Sequence, residues 1–304
     1  MPFAPLPVTP GSDRAAALQV SVIVPHFRDL AGLDLCLTHL ERQTLPRAAF
    51  EIVVADNNSP EGEAAVAAVI AGRARLTIVD EPGAGPARNG GVAQSTGRIL
   101  AFTDSDCQPE PNWLAEGLKV LEGVDIVGGA MRVLVHDAAN VSPEEAFELI
   151  FAFDNQTYVE KKGFTVSANL FCRRGLFDSV GGFLAKGISE DLEWCLRAGG
   201  LGYRIAYAPN CRVGHPARRT WADTLKKWRR INVETFGLTR RRPAGRLRWL
   251  LKTLALPLSA VAHTPKVLFH QGLATGQRLG ALGVLYRLRL WRFADSLRLL
   301  FAGV

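Results

Sequence analysis

Residues 98–106 read RILAFTDSD, an apolar run that ends in two aspartates. The run RILAFT predicts a buried strand, and Asp104, Ser105 and Asp106 follow at its carboxyl end. Two carboxylates two positions apart offer the oxygen ligands that Mg²⁺ and Mn²⁺ prefer. Such triplets are also common in turns, where Asp and Ser bond to the local backbone. The triplet therefore indicates a metal site only if the rest of the chain supports one.

Three more strand-like runs precede this one, and they alternate with helix-like segments. We predict strands at 18–25 (LQVSVIVP), 50–55 and 75–79, and helices at 33–41, 61–71 and 86–95. The alternation predicts an α/β fold with a doubly wound, mostly parallel sheet. Ligands of such sheets bind beyond the carboxyl ends of the strands, where Asp56, Asp104 and Asp106 stand.

The second half of the chain is less regular. It yields strand predictions at 125–127, 131–135, 165–173 and 203–207, and helix predictions at 143–153, 190–198, 220–236 and 281–302. The last helix is amphipathic, with an apolar face opposite a charged one. We assign to the apolar face Leu282, Tyr286, Leu290, Phe293, Leu297, Leu300 and Phe301, and to the charged face Arg287, Arg289, Arg292, Asp295 and Arg298.

The composition is that of a folded protein. The chain has 304 residues, of which 48% are hydrophobic and 21% charged, which excludes an intrinsically disordered chain. The five cysteines form no CxxC pair, so we expect neither a disulfide framework nor a zinc site, but a reducing compartment. We see no signal-peptide pattern and no run of about 18 apolar residues. We therefore expect a cytoplasmic protein, free or on the cytosolic face of a membrane.

Charge is unevenly distributed along the chain. Residues 216–304 hold 18 Lys and Arg against 3 Asp and Glu, whereas residues 1–215 hold 18 against 26. Trp221, Trp228 and Trp249 are interleaved with the basic residues, which suits attachment to an anionic membrane surface. Two other readings stay open, namely packing on the body of the protein and a homodimer through these helices. We expect no nucleic-acid partner, because the leucine stripe serves no purpose there.

Six motifs in order give the chain a family resemblance over about residues 19–215. They read SVIVPHFRD, VVADNNS, GAGPARNGG, DSD, SANLFCRR and GISEDLEWCLR. In this combination they resemble the family 2 glycosyltransferases. The resemblance implies a GT-A fold, a nucleotide-sugar donor, a divalent cation (Mn²⁺ or Mg²⁺) and an inverting reaction. With the basic tail, it suggests a lipid-linked or polysaccharide acceptor.

The resemblance also divides the chain into three parts. Residues 1–17 form an N-terminal extension, and 18–215 the catalytic domain, with a nucleotide-sugar half (18–106) and an acceptor half (107–215). Residues 216–304 form a basic helical region.

At matching positions, the resemblance implies roles for the donor-side residues. Those expected at the nucleotide sugar are Pro25, Phe27, Asp56, Arg88, Asn89, Asp104 and Ser105. Asp56 would accept a hydrogen bond from the ring NH of the base, although a turn-capping role is the alternative. The expected metal ligands are Asp104 and Asp106, with His215 completing the shell or standing as an ordinary loop histidine.

On the acceptor side, the resemblance implies that Asp191 is the base that accepts the proton of the attacking hydroxyl. Glu190 would orient the site or cap the helix, and Glu193 would support it. The alternative is that these acids only complement the helix dipole. Asn169 and Trp194 are expected to contact the acceptor. Two other functions stay open, a nucleotidyltransferase that makes the activated sugar and a non-catalytic membrane-bound scaffold.

Overall fold

Strands and helices alternate as far as residue 102 and are mixed as far as residue 216, and the chain is helical thereafter. A computed structural model describes residues 19–184 and 189–302. Its strands are β1 Val20–His26, β2 Phe50–Asp56, β3 Arg75–Ile78, β4 Ile99–Phe102, β5 Gln108–Pro109, β6 Ile126–Leu134, β7 Leu170–Arg173 and β8 Ile205–Pro216. Its helices are α1 Leu30–Glu41, α2 Glu63–Ile70, α3 Ala84–Ala93, α4 Trp113–Leu121, α5 Pro143–Phe151, α6 Asn155–Lys162, α7 Arg174–Val180, α8 Glu190–Gly200, α9 Trp221–Arg240, α10 Gly245–Leu268 and α11 Thr275–Ala302. The predicted extension at 1–17 and the start of the motif GISEDLEWCLR lie outside the described residues.

The strands form one sheet in the order β3-β2-β1-β4-β7-β6-β8-β5. Strands β3, β2, β1 and β4 are parallel, as the alternating pattern predicts. Strand β7 runs antiparallel to both β4 and β6, while β8 is parallel to β6. The predicted α/β class is confirmed, and the sheet is mixed in its second half.

The first strand shows why the apolar runs form the centre of the sheet. Successive side chains of a strand point to opposite faces. Val20, Val22 and Val24 lie in the core that includes α1 and α2, whereas Ile23 lies in the core that includes α7 and α8. A strand covered on both faces needs apolar residues at consecutive positions, which is the pattern of 18–25.

The sequence predicts two short strands where the structure has the single strand β6. It is one strand with an irregularity between Gly129 and Ala130. The two glycines there admit close neighbours, because a Cβ at Gly128 would collide with Thr165 and one at Gly129 with Asn169. Glycine weakens a strand pattern in sequence, which is why the continuous strand was divided.

Four helices were not predicted, namely α4, α6, α7 and α10. The strand predicted at 165–173 is shorter, because residues 167–169 form a 3₁₀ turn before β7. All five cysteines are buried free thiols. Among the helices of 19–184 and 189–302, none is long and apolar enough to cross a membrane.

The three C-terminal helices are not a detached appendage. Helix α11 packs on α5, and their shared core includes Phe147, Ile150, Leu285 and Leu288, with Val267 of α10. Packing on the body of the protein, the reading left open from the sequence, therefore holds for one face of α11.

The charged face predicted for α11 is wrong in part. Asp295 is only 8% exposed, and its Oδ2 accepts a hydrogen bond from Asn232 of α9 at 3.1 Å. Arg292 lies over the ring of Trp228 and donates through Nε to Asn232 Oδ1. Burial, and secondarily Arg289, lowers the pKa of Arg292 to about 9. The helical projection failed because α11 buries a polar strip against α9, which a hydrophobicity pattern does not reveal.

Candidate active site

The carboxyl ends of β1, β2 and β4 bring the predicted donor residues to one edge of the sheet. The strands are parallel and adjacent, and their register sets His26 opposite Asp56. Asp104, Ser105 and Asp106 follow β4 directly and are partly buried. This is the edge at which α/β sheets bind their ligands.

Arg88 of α3 joins the two halves of the predicted site. Its Nη2 donates to Asp104 Oδ1 at 2.6 Å, and its Nη1 donates to Glu190 Oε1 at 3.0 Å. The side chain is 4% exposed, and Nε has no hydrogen-bond partner among the described residues. Burial opposes the charge, but Asp104 and Glu190 more than compensate and hold the pKa of Arg88 above its ordinary value. A buried cation therefore links the DSD motif to the acids of α8.

Asp191 stands in the first turn of α8, beside Glu190. Ser189 Oγ and the Leu192 amide both donate to its Oδ1, at 2.9 and 2.7 Å. Among the described residues, none donates to Oδ2. Burial, reinforced by the charge of Glu190, raises the pKa of Asp191. A carboxylate that is held through one oxygen and has a raised pKa is suited to accept a proton through the other.

Asp106 and His215 form the part of the edge that best fits a divalent cation. His215 Nε2 lies 3.5 Å from Asp106 Oδ2, and His215 Nδ1 lies 2.8 Å from the Pro216 carbonyl. That carbonyl can only accept, so Nδ1 carries the hydrogen, and Nε2 is the ring nitrogen left beside Asp106 to bind a cation. Carboxylate oxygen with neutral imidazole suits Mn²⁺.

Two neighbouring side chains, Cys107 and Arg88, affect which ligand atoms are available at this candidate metal site. Burial raises the pKa of Cys107, whose thiol lies near Asp106 and His215 as the third potential ligand of this group. Asp104 Oδ1 is engaged by Arg88, which leaves Oδ2 for a cation. Asp106 and His215 thus fit a divalent ion, and among the described residues the group of ligand atoms within 4.8 Å of one another also includes Cys107 but not Asp104.

At the nucleoside end of the edge, Asp56 has the turn-capping arrangement that the sequence left open. It is 1% exposed. Its Oδ1 accepts from Ser59 Oγ at 2.6 Å and lies 2.7 Å from His26 Nδ1, while Oδ2 accepts from the Ser59 amide. Pro25 is buried, and the ring of Phe27 is 51% exposed beyond the strand end. Both carboxylate oxygens of Asp56 therefore already accept hydrogen bonds within the protein.

The two residues predicted to contact the acceptor, Asn169 and Trp194, lie in the core of the structure. Asn169 is fully buried, where it accepts from Trp113 Nε1 and donates to the carbonyls of Ala130 and Cys211. Trp194 is also fully buried, and its Nε1 donates to the Gly181 carbonyl. Through these hydrogen bonds both side chains stabilise the core. Neither has exposed surface with which to contact an acceptor.

Two further side chains bind the protein itself. Asn89 donates to the Phe183 carbonyl and accepts from the Phe183 amide, so its amide holds the chain at Phe183 in place. Glu193 forms an ion pair with Arg197, one turn along α8, at 2.9 Å. Arg197 in turn donates to the Gly182 carbonyl, so Glu193 supports the site by positioning this segment.

Two acids that contact or belong to the C-terminal helices, Glu148 of α5 and Glu234 of α9, were not among the site residues predicted from the sequence. Glu148 of α5 is 2% exposed and pairs with Arg218 and Lys227, whose charges outweigh burial and lower its pKa. Glu234 of α9 lies close enough to Glu190 and Asp191 to sense their charges. Burial chiefly, and these two acids, raise the pKa of Glu234 to about 7. Glu234 is one of only three acids in residues 216–304, a signal that could have marked it.

With this geometry described, comparison with known proteins is informative. The model of the family described as glycosyl transferase family 2 matches residues 21–181, more than half of the chain. The chain belongs to glycosyl transferase family 2. The match spans the DSD motif and Arg88, so the family resemblance predicted from the six motifs is confirmed.

Curated proteins similar to this chain are named as glycosyltransferases. The glycosyltransferase AglE of Haloferax volcanii is 32% identical over 219 residues, which cover 70% of this chain and 71% of AglE. The probable glycosyltransferase YdaM of Bacillus subtilis is 24% identical over 234 residues, which cover 69% of this chain and only 52% of YdaM. This chain is a glycosyltransferase of family 2, and it spans about half the length of the Bacillus relative.

Among solved structures, the fold is shared with the mannosyltransferase PcManGT of Pyrobaculum calidifontis, solved with GDP-Man and Mn²⁺. The TM-score is 0.65 at 20% identity, over 94% of this chain and 88% of PcManGT. At this identity the likeness concerns the fold, and it confirms the predicted GT-A architecture. Nucleotide-sugar glycosyl transfer follows from the family.

Proposed function

We propose that the chain is an inverting, metal-dependent glycosyltransferase that acts on a hydroxyl of a lipid-linked or polysaccharide acceptor. The observation that carries the proposal is the ion chain Asp104–Arg88–Glu190, with Asp191 next to it. It brings the donor motif and the candidate base together at one edge of the sheet.

In this mechanism, the acceptor oxygen attacks the anomeric carbon from the side opposite the leaving diphosphate. The new glycosidic bond forms as the bond to the diphosphate breaks, and the diphosphate departs with the electron pair. Asp191 takes the hydroxyl proton through Oδ2, while Ser189 and the Leu192 amide hold Oδ1 in place. Direct attack inverts the anomeric configuration.

The donor side supplies charge and position. Asp104, Asp106 and His215 would hold the divalent cation, Mn²⁺ or Mg²⁺, which neutralises charge on the leaving nucleoside diphosphate. Arg88 is already buried beside Asp104 and supplies a further positive charge at the same edge. Phe27, exposed at the strand end, supports a stacking contact with the nucleoside.

The acceptor class and the location rest on the basic helices. Residues 216–304 carry a formal net charge of +15, which favours an anionic membrane surface. Nucleotide sugars of the cytosol would then meet a lipid-linked or growing polysaccharide acceptor at the cytosolic face. PcManGT was solved with a guanosine donor, but Asp56 leaves uridine and guanosine open here.

A donor panel tests this function. The full chain is incubated with UDP- and GDP-sugars and lipid acceptors, with Mn²⁺, Mg²⁺ or a chelator, and released nucleoside diphosphate is measured. We expect release from one donor, abolished by the chelator, and a product of inverted configuration. Release without metal would refute the metal site, and pyrophosphate formation from a sugar phosphate and a nucleoside triphosphate would indicate a nucleotidyltransferase. No turnover with any donor would favour the non-catalytic scaffold.

A further inference from the structure

Helix α10 exposes a regular apolar stripe. Leu247, Leu251, Leu254, Leu258 and Val261 recur at alternating steps of four and three residues, and each is between 52% and 72% exposed. The opposite side of α10 is buried, with Trp249, Thr253, Ala260 and Val267. Exposed leucines are ordinary singly, but a continuous stripe marks an interaction surface.

Helix α11 packs beside α10 and exposes apolar residues of its own. Tyr286 of α11 lies 3.0 Å from Thr264 of α10, and Trp249 Nε1 donates to the Ser296 carbonyl at 2.9 Å, so the two helices run antiparallel. Leu290 is 58% exposed, and Phe301 near the end of α11 is 80% exposed. We call the α10 stripe together with Leu290 and Phe301 the apolar face.

An arginine-lined cavity of about 550 Å³ stands at the start of α10, between α9 and α10. Its lining includes Arg241, Arg242 and Arg246, and also Leu247, the first residue of the apolar face. These arginines are exposed. Residues 236–302 carry 12 Lys and Arg and one acid, so the apolar face lies in a strongly cationic region. Arginine forks match phosphate oxygens.

We propose that the apolar face docks on an anionic lipid bilayer, with its leucines at the acyl boundary and Arg241, Arg242 and Arg246 on headgroup phosphates. The proposal deepens the membrane attachment included in the proposed function and rests on it. An amphipathic surface gains affinity from buried apolar area and from each cation near anionic lipid. A second copy fits less well, because two such faces would bring the same cationic clusters together.

Flotation of the full chain tests the proposal. Vesicles of phosphatidylcholine alone are compared with vesicles that also contain phosphatidylglycerol. We expect flotation with the anionic vesicles only. The variant Leu251→Ser/Leu254→Ser/Leu258→Ser should lose at least about tenfold in apparent partition coefficient, because each leucine gives up its apolar burial. The variant Arg241→Gln/Arg242→Gln/Arg246→Gln should lose about tenfold or more on anionic vesicles.

Matched controls come from the catalytic domain. Leu35→Ser/Leu201→Ser changes two leucines that are 43% and 59% exposed, and Arg132→Gln/Arg204→Gln changes two exposed arginines. Both controls should float as the parent does. Flotation of the leucine variant at the parental level would overturn the proposal. So would a parental dimer, by light scattering, that the leucine substitutions dissociate, because the face would then bind a second copy.

Activity separates this proposal from the proposed function. Release of nucleoside diphosphate in detergent with a short soluble acceptor should be the same in the parent and in both helix variants. Normal release with failed flotation would refute the bilayer surface alone. Absent release with intact flotation would refute the transferase function alone.

Discussion

Two carboxylates, one at the sheet edge and one among the C-terminal helices, show how partners decide the role of the same side chain. Asp295 is buried on α11, where Asn232 donates to one oxygen and Arg298 to the other, at 3.1 and 3.0 Å. Asp191 lies in the first turn of α8, and both of its hydrogen bonds go to a single oxygen. Its neighbour Glu190, not Asp191, pairs with Arg88.

This difference distinguishes a carboxylate that stabilises the fold, Asp295, from one that remains available for chemistry, Asp191. Both oxygens of Asp295 accept hydrogen bonds from neighbouring side chains, so its charge stabilises the contact between α9 and α11. Asp191 is desolvated without a direct cation, and its pKa is raised by burial and by Glu190. Perturbed groups of this second kind are those that active sites use.

The substitution Asp191→Asn should reduce activity more than any other substitution proposed for this comparison. We expect kcat to fall about 10²- to 10⁴-fold, because the amide cannot accept the acceptor proton. Stability should be unchanged or slightly higher, since a desolvated charge is removed. In the parent, activity should rise with pH through a pKa above the ordinary aspartate range. Initial rates against pH, with chemical unfolding of both proteins, check this; full activity in Asp191→Asn would rule out the base assignment.

The substitution Asn169→Ala tests whether Asn169 stabilises the core or contacts the acceptor. It leaves Trp113 Nε1 and two carbonyls without their partner, so the free energy of unfolding should fall by about 2–4 kcal/mol. Urea unfolding measures the loss. KM for the acceptor, measured below the unfolding range, should stay the same. A raised acceptor KM with normal stability would restore the acceptor contact predicted from the sequence.

The change Asp295→Asn probes the other member of the pair. An amide keeps the shape but gives up the charge that faces Arg298, so unfolding free energy should fall by about 1–2 kcal/mol. Transfer activity at saturating substrate should remain parental, in contrast with Asp191→Asn. If Asp295→Asn lost activity without losing stability, the division between structural and functional charge would fail.

The smallest expected effect is that of Glu234→Gln. The folded-state pKa of Glu234, about 7, exceeds its unfolded value, so the folded state binds more protons and loses stability as pH rises from about 4.5 to about 7. Glutamine removes this loss, and the variant should be more stable than the parent at pH 8 by about 1 kcal/mol, allowing for solvent screening. At pH 4 the two proteins should unfold alike.

Unfolding curves at both pH values check this. A stability difference that stayed constant with pH would mean that Glu234 titrates normally. Arg230→Gln, which removes the partly exposed partner of Glu234 at 3.8 Å, is a useful companion, since it should raise the pKa of Glu234 further.

Much of the structure of residues 19–216 was predictable from local patterns. The four parallel strands and the positions of Asp104, Asp106 and Asp191 followed from apolar runs and motif order. Local patterns did not reveal which polar residues are buried in the core. Asn169 stands in a motif that resembles an acceptor strand, yet its partners Trp113, Ala130 and Cys211 come from distant segments. No local pattern contains those contacts.

The sequence by itself determined the strand and helix alternation, the family and the cationic character of residues 216–304, because periodicity, motif order and charge are local properties. Only the tertiary structure decided that Arg88 bridges Asp104 and Glu190, that Glu234 approaches Asp191, and that α10 rather than α11 carries most of the exposed stripe. These depend on which faces the helices bury against one another. That choice is made by contacts between residues far apart in the chain, and each helix taken alone offers more than one apolar face.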